Sequence, residues 1–61
     1  MKFNELVRLL EENGFKLVRE NGSKRFYRKE GLKELIQIDF HGSKEVPEGT
    51  CNYILKKAGL K

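Results

Sequence analysis

The chain has 61 residues, a formal net charge of +4 and a single cysteine. That length allows one domain, residues 1–61, burying only about 60% of the surface its unfolded chain exposes, which is too little for a deep enclosed active site. One cysteine excludes an internal disulfide framework, and the longest apolar runs are two or three residues, so a membrane span and a secretory h-region behind Met-Lys-Phe-Asn-Glu are excluded. The expectation is a soluble, cytoplasmic protein with no membrane partner.

The charge is concentrated. Residues 16–33 carry Lys16, Arg19, Lys24, Arg25, Arg28, Lys29 and Lys33 against Glu20 and Glu30, a local balance of +5 that exceeds the +4 of the whole chain. With an isoelectric point near 9.4, this one basic element points to a polyanion such as nucleic acid. The alternative is a basic surface kept for solubility.

The pattern predicts a first helix over about Asn4–Asn13. Asn4 suits the N-cap and Glu5 the positive end of the dipole. Phe3, Leu6, Leu9 and Leu10 share one face, and Gly14 takes the left-handed position past the end. A first strand is expected over Phe15–Glu20 and a second over Ser23–Lys29. Between them, Asn21-Gly22 reads as a two-residue type I′ turn that pairs Leu17 with Phe26 and Arg19 with Lys24. Phe15, Leu17 and Phe26 then face the core, and Lys16, Val18, Arg25 and Tyr27 face away.

A third strand is expected over Glu34–Phe40, with Ile36, Ile38 and Phe40 inward. Keeping those isoleucines on the same side as Phe26 requires a second loop of three or five residues, because a one-residue slip reverses every side chain. His41–Val46 reads as a loop. A second helix starts near Pro47, which suits the first helical position. Cys51, Ile54, Leu55 and Ala58 form its apolar stripe, Lys56 and Lys57 suit its last turn, and Gly59 caps it. Cys51 reads as core. The expected fold is α+β, in the order α-β-β-β-α: a three-stranded antiparallel meander with both helices on one face and Lys16, Arg25, Tyr27 and Gln37 on the open one.

Three features carry a resemblance: Leu10-Glu11-Glu12-Asn13-Gly14-Phe15 closing the first helix; Gly22-Ser23 before a basic and aromatic strand; and the tail from His41-Gly42 through Lys44-Glu45-Val46-Pro47-Glu48-Gly49-Thr50 to Ile54-Leu55-Lys56-Lys57-Ala58-Gly59-Leu60. Across nearly its whole length the chain resembles the HicA-type toxins of bacterial toxin–antitoxin pairs, also called the YcfA-like family. The resemblance implies a double-stranded-RNA-binding-domain-like fold, cleavage of mRNA without a metal or other cofactor, and a HicB antitoxin as protein partner. That family usually carries its catalytic His directly after Gly-Ser, or in some members one residue later. Here those positions hold Lys24 and Arg25. The one histidine, His41, matches a second family position at the end of the third strand.

RNA cleavage without a metal needs a base for the 2′-OH proton, an acid for the 5′ oxygen, and cations against the transition-state charge. Histidine suits either proton role. A lysine, with a reference pKa of about 10.4, serves instead to hold a phosphate. The antiparallel order sets His41 near Ser23 and Lys24, so Lys24, His41, Ser43 or Lys44 and the second helix's free amides could build a phosphate site. Lys24 and His41 are therefore the catalytic candidates, and Ser23, Lys24, Arg25, Tyr27, Arg28 and Lys44 the nucleic-acid contacts. His41 reads first as a loop residue bonding local backbone, Tyr27 equally as a stacking ring or as cover for apolar surface, and the arginines also as solvated charge. One His, one Cys and scattered acids lack metal-ligand spacing, and no Ser-His-Asp arrangement is supported. Three readings of Lys24 stand open: an inactivated toxin, a variant that uses His41, and a non-catalytic relative that binds RNA or a protein.

Overall fold

The first helix sets the layout, because its apolar stripe needs a sheet to cover it. Phe3, Leu6, Val7 and Leu10 are buried at helical spacing in α1 (Phe3–Glu12). The computed structural model describes all 61 residues, and after α1 come β1 (Lys16–Asn21), β2 (Lys24–Arg28), β3 (Ile36–Asp39) and α2 (Glu48–Lys57). The strands form one antiparallel sheet in the order β1-β2-β3. The fold is therefore α+β with the order α-β-β-β-α. One hydrophobic cluster joins α1, Phe15, Tyr27, Ile36, Ile38, Val46 and the Ile54 and Ala58 of α2. Both helices thus cover the side of the sheet that carries Tyr27 and the two isoleucines, and the opposite side is open.

Helix α1 starts one residue before the expected Asn4 cap, for a long-range reason. A helix start leaves amide donors without partners. Here the Phe3 N–H donates to the Lys44 carbonyl (3.0 Å) and the Asn4 N–H to the Gly42 carbonyl (2.9 Å), while the Lys2 N–H donates to the Glu5 carboxylate (2.8 Å). The 41–46 loop does the capping, so no side-chain cap is needed at Asn4. At the other end, the Phe15 N–H donates to the Leu10 carbonyl (3.0 Å) and the Gly14 N–H to Glu11 (3.1 Å), a Schellman motif with Gly14 at φ +92°. Helix α2 closes the same way through Leu60 and Gly59, with Gly59 at φ +77°. Pro47 takes the N-cap position of α2, one residue outside its expected place.

The first hairpin differs from expectation by one residue. Asn21 pairs with Lys24, so the turn is Gly22-Ser23. Only Gly22 has positive φ (62°) and no non-glycine residue does, which is the signature of a type II′ turn rather than type I′. The end of β3 explains the choice: the Ser23 carbonyl accepts from the Phe40 N–H (2.7 Å) and its hydroxyl donates to Asp39 (2.7 Å). A bulge at Val18 then places Leu17 opposite Tyr27 and Arg19 opposite Phe26.

The expected core face of β2 is corrected by this register. Tyr27 lies opposite Ile36 and Arg25 opposite Ile38, and directly opposed residues share a face. Tyr27, not Phe26, is therefore inward, at 1% exposure. The expected three- or five-residue second loop falls with it: the connection runs 29–35, and its register puts Phe26 opposite exposed Gln37. Ile36 and Ile38 point inward as the alternation predicted, and Cys51 is partly buried against the core. No helix is long and apolar enough to cross a membrane.

Candidate functional site

Chemistry-bearing side chains gather where the Gly22-Ser23 turn meets the end of β3. Residues two apart on an extended chain point to the same side, so Asp39 and His41 project together. The Ser23 hydroxyl donates to Asp39 Oδ1 (2.7 Å), and His41 Nε2 stands 3.6 Å from Asp39 Oδ2. Lys24 is Asp39's cross-strand partner. The Ser23 hydrogen bond, with the charges of His41 and Lys24 behind it, holds the Asp39 carboxyl below its ordinary pKa. The imidazole packs edge-on against Phe3, with centroids 5.2 Å apart and planes at 76°. Beside it opens a cleft of about 350 Å³ lined by Phe3, Asp39, His41, Lys44, Glu45, Pro47 and Thr50, with Glu45 paired to the N-terminal ammonium at 3.0 Å.

His41 and Lys44 thus line the cleft, Ser23 and Lys24 join the corner through Asp39, and Ser43 does not line the cleft. The order of contacts defines what the corner can do. The serine hydroxyl donates to the carboxylate and makes no hydrogen bond to the imidazole, so this is not the Ser-His relay that activates a serine nucleophile. It is an anchored carboxylate facing an imidazole, with an ammonium alongside. Such a group can orient a proton-transferring histidine and attract a phosphate. No three His, Cys, Asp or Glu side chains are grouped as metal ligands.

The other sequence candidates stand elsewhere. Arg28 is exposed on the open face, opposite Lys16 at the far end of β2. Tyr27 is buried under the helices and offers no ring face to solvent. Arg25 also lies on the helix side: its guanidinium sits 3.9 Å from the Phe40 ring centroid, with Nε 3.4 Å from Glu20 Oε2. Tyr27 first, and then Glu20, push the Arg25 pKa above the ordinary arginine value. Asp39 was not singled out from the sequence, where Phe26 reads as a core residue. For Asp39 the available signal was the Asp-x-His spacing in an extended segment.

The family model for the HicA toxin of bacterial toxin–antitoxin systems matches residues 3–60. The chain belongs to the HicA family. A search of curated proteins gave no match. The matched span includes every element of the fold and all four corner residues. As a HicA-family domain the chain is the toxin member of a toxin–antitoxin pair, and an antitoxin is its implied partner.

Proposed function

We propose that this HicA-family toxin binds mRNA and cleaves it as an endoribonuclease without a metal, with His41 as the proton-transferring residue, and that a HicB-type antitoxin neutralises it. The observation that carries the reading is the corner itself: the chain's one imidazole stands beside a carboxylate fixed by Ser23, with Lys24 next to it.

In this reading His41 accepts the proton of the ribose 2′-OH. The 2′ oxygen attacks phosphorus, the P–O5′ bond breaks, and the 5′ oxygen takes a proton from water while His41 returns its own to solvent, leaving a 2′,3′-cyclic phosphate and a 5′-OH. Asp39 orients the imidazole and stabilises its charged form. Lys24 and Lys44 attract the phosphate, with Ser23 reserved for Asp39. Where the family pattern expects a histidine after Gly-Ser, Lys24 contributes charge, and the proton work passes to His41.

The test is a labelled single-stranded mRNA fragment incubated in EDTA with the purified protein, His41→Ala and Lys24→His. Cleavage by the original protein is expected, with His41→Ala slower by about 10²- to 10⁴-fold, the usual contribution of a general acid–base group. If only Lys24→His cuts, the chain is a toxin that lacks its base. If none cuts but all bind RNA in a salt-dependent way, it is a non-catalytic binding module.

A further inference from the structure

The open face of the sheet has a composition that solubility alone does not require. Phe26 lies at its centre, half-buried, with the Arg19 guanidinium 5.8 Å from its ring centroid and Gln37 across from it. Lys24 and Arg28 flank it two residues either way on β2, and Lys16 faces Arg28 from β1. Of the two acids in the strands, Glu20 turns to the helix side with Arg25, and Asp39 is engaged by Ser23 and His41. The face therefore presents Lys16, Arg19, Lys24 and Arg28 around one aromatic ring, with no free carboxylate from the strands.

We infer that this face is a track for single-stranded RNA, with Phe26 as the platform on which a base stacks. The inference rests on the RNA reading above and adds a surface to it. The cations complement a phosphate backbone. The ring selects the strandedness, because a duplex seals its base faces in the stack while an unpaired base lays its face on an aromatic side chain. At about 3.3 Å per residue, Lys24 to Arg28 spans roughly 13 Å, and the one ring on this face offers a platform for one base. The Lys24 end adjoins Asp39 and His41, so a strand laid along the track enters the corner where cleavage is proposed. Tyr27, the neighbouring aromatic, cannot serve because it is buried.

The experiment is fluorescence anisotropy with the full chain, using a labelled unstructured RNA of about 12 nucleotides, within the site sizes known for single-strand binders, and a duplex of the same length. Phe26→Leu should weaken single-strand binding roughly 5- to 100-fold, the range of one lost base–aromatic stack, and leave duplex binding unchanged. Phe26→Tyr, which keeps the platform, should bind like the original protein. Arg28→Gln should lower the salt slope by about one. Circular dichroism confirms that each variant folds. Equal affinity for Phe26→Leu and the original protein overturns the inference, as does preference for the duplex, or a Phe26→Leu defect confined to binding an antitoxin protein. If the original protein binds RNA and His41 or Lys44 variants weaken it while Phe26→Leu and Arg28→Gln do not, the proposed function stands and this track falls. If it binds no RNA, both fall.

Discussion

The two faces of β2 differ by one residue and exchange the roles that hydrophobicity alone would assign. Tyr27 carries a hydroxyl yet is buried at 1% exposure, while Phe26, wholly apolar, lies on the open side under Arg19. Tyr27 meets Ile36 across the ladder and Phe26 meets Gln37. The partners across the sheet decide, because a strand can bury only the set that lines up with its neighbour's inward residues. A buried tyrosine hydroxyl needs one polar neighbour, here Arg25. Phe26 stays half-buried on the solvent side, covered only by Arg19, and that is the position the proposed RNA track uses.

The largest expected effect tests that contrast directly. Tyr27→Ala should destabilise the fold by about 3–5 kcal/mol, as for other buried aromatics, enough to unfold much of so small a domain. Phe26→Leu should cost below about 1.5 kcal/mol, as a substitution that keeps most of the apolar volume. Urea unfolding of both variants checks it, and comparable losses would mean that Phe26 is core and that the two faces do not differ as described.

What could be read from the sequence was local. Ile36 and Ile38 alternate inward, and Gly14 and Gly59 close their helices through adjacent backbone amides, so nearest neighbours carry the signal. The turn was not legible to the residue, because both Asn21-Gly22 and Gly22-Ser23 can form a hairpin. Ser23's links to Asp39 and Phe40 choose between them from the far end of β3. That one-residue choice and the bulge at Val18 set the β1 register. The inward face of β2 is set separately, by its pairing with Ile36 and Ile38. The α1 cap fails as a local reading for the same kind of reason, since the donors find the Lys44 and Gly42 carbonyls. At the site, a lone histidine after a strand was visible, but the carboxylate 3.6 Å from it was hidden among ordinary polar alternation.

A smaller effect separates the two arginines of β2. Arg25 lies over Phe40, between Glu20 and Tyr27, whereas Arg28 is exposed. Arg25→Ala should lower stability by about 0.5–1 kcal/mol through the lost cation–π contact, and Arg28→Ala should stay within about 0.5 kcal/mol. Thermal unfolding orders the pair. The reverse order should hold for RNA affinity, where Arg28 counts and Arg25 does not.

The smallest effect is a pH dependence with a definite sign. Asp39's carboxyl is held below its ordinary value in the folded chain, chiefly by the Ser23 hydroxyl and then by His41 and Lys24. The unfolded chain therefore binds a proton at higher pH than the folded one does. The stabilisation is fully present above the unfolded value, about 3.9, and is lost as pH falls through the folded value below it. Asp39→Asn should flatten that part of the stability profile while leaving it unchanged near neutrality apart from a constant offset, and Ser23→Ala should flatten it partly, because His41 and Lys24 still act on the carboxylate. Because Asp39 is exposed, the amplitude should be small and should shrink with salt. A profile for Asp39→Asn as steep as the original's would mean that the Ser23–Asp39 contact does not persist in solution, and the corner would then lose the anchor that aims His41.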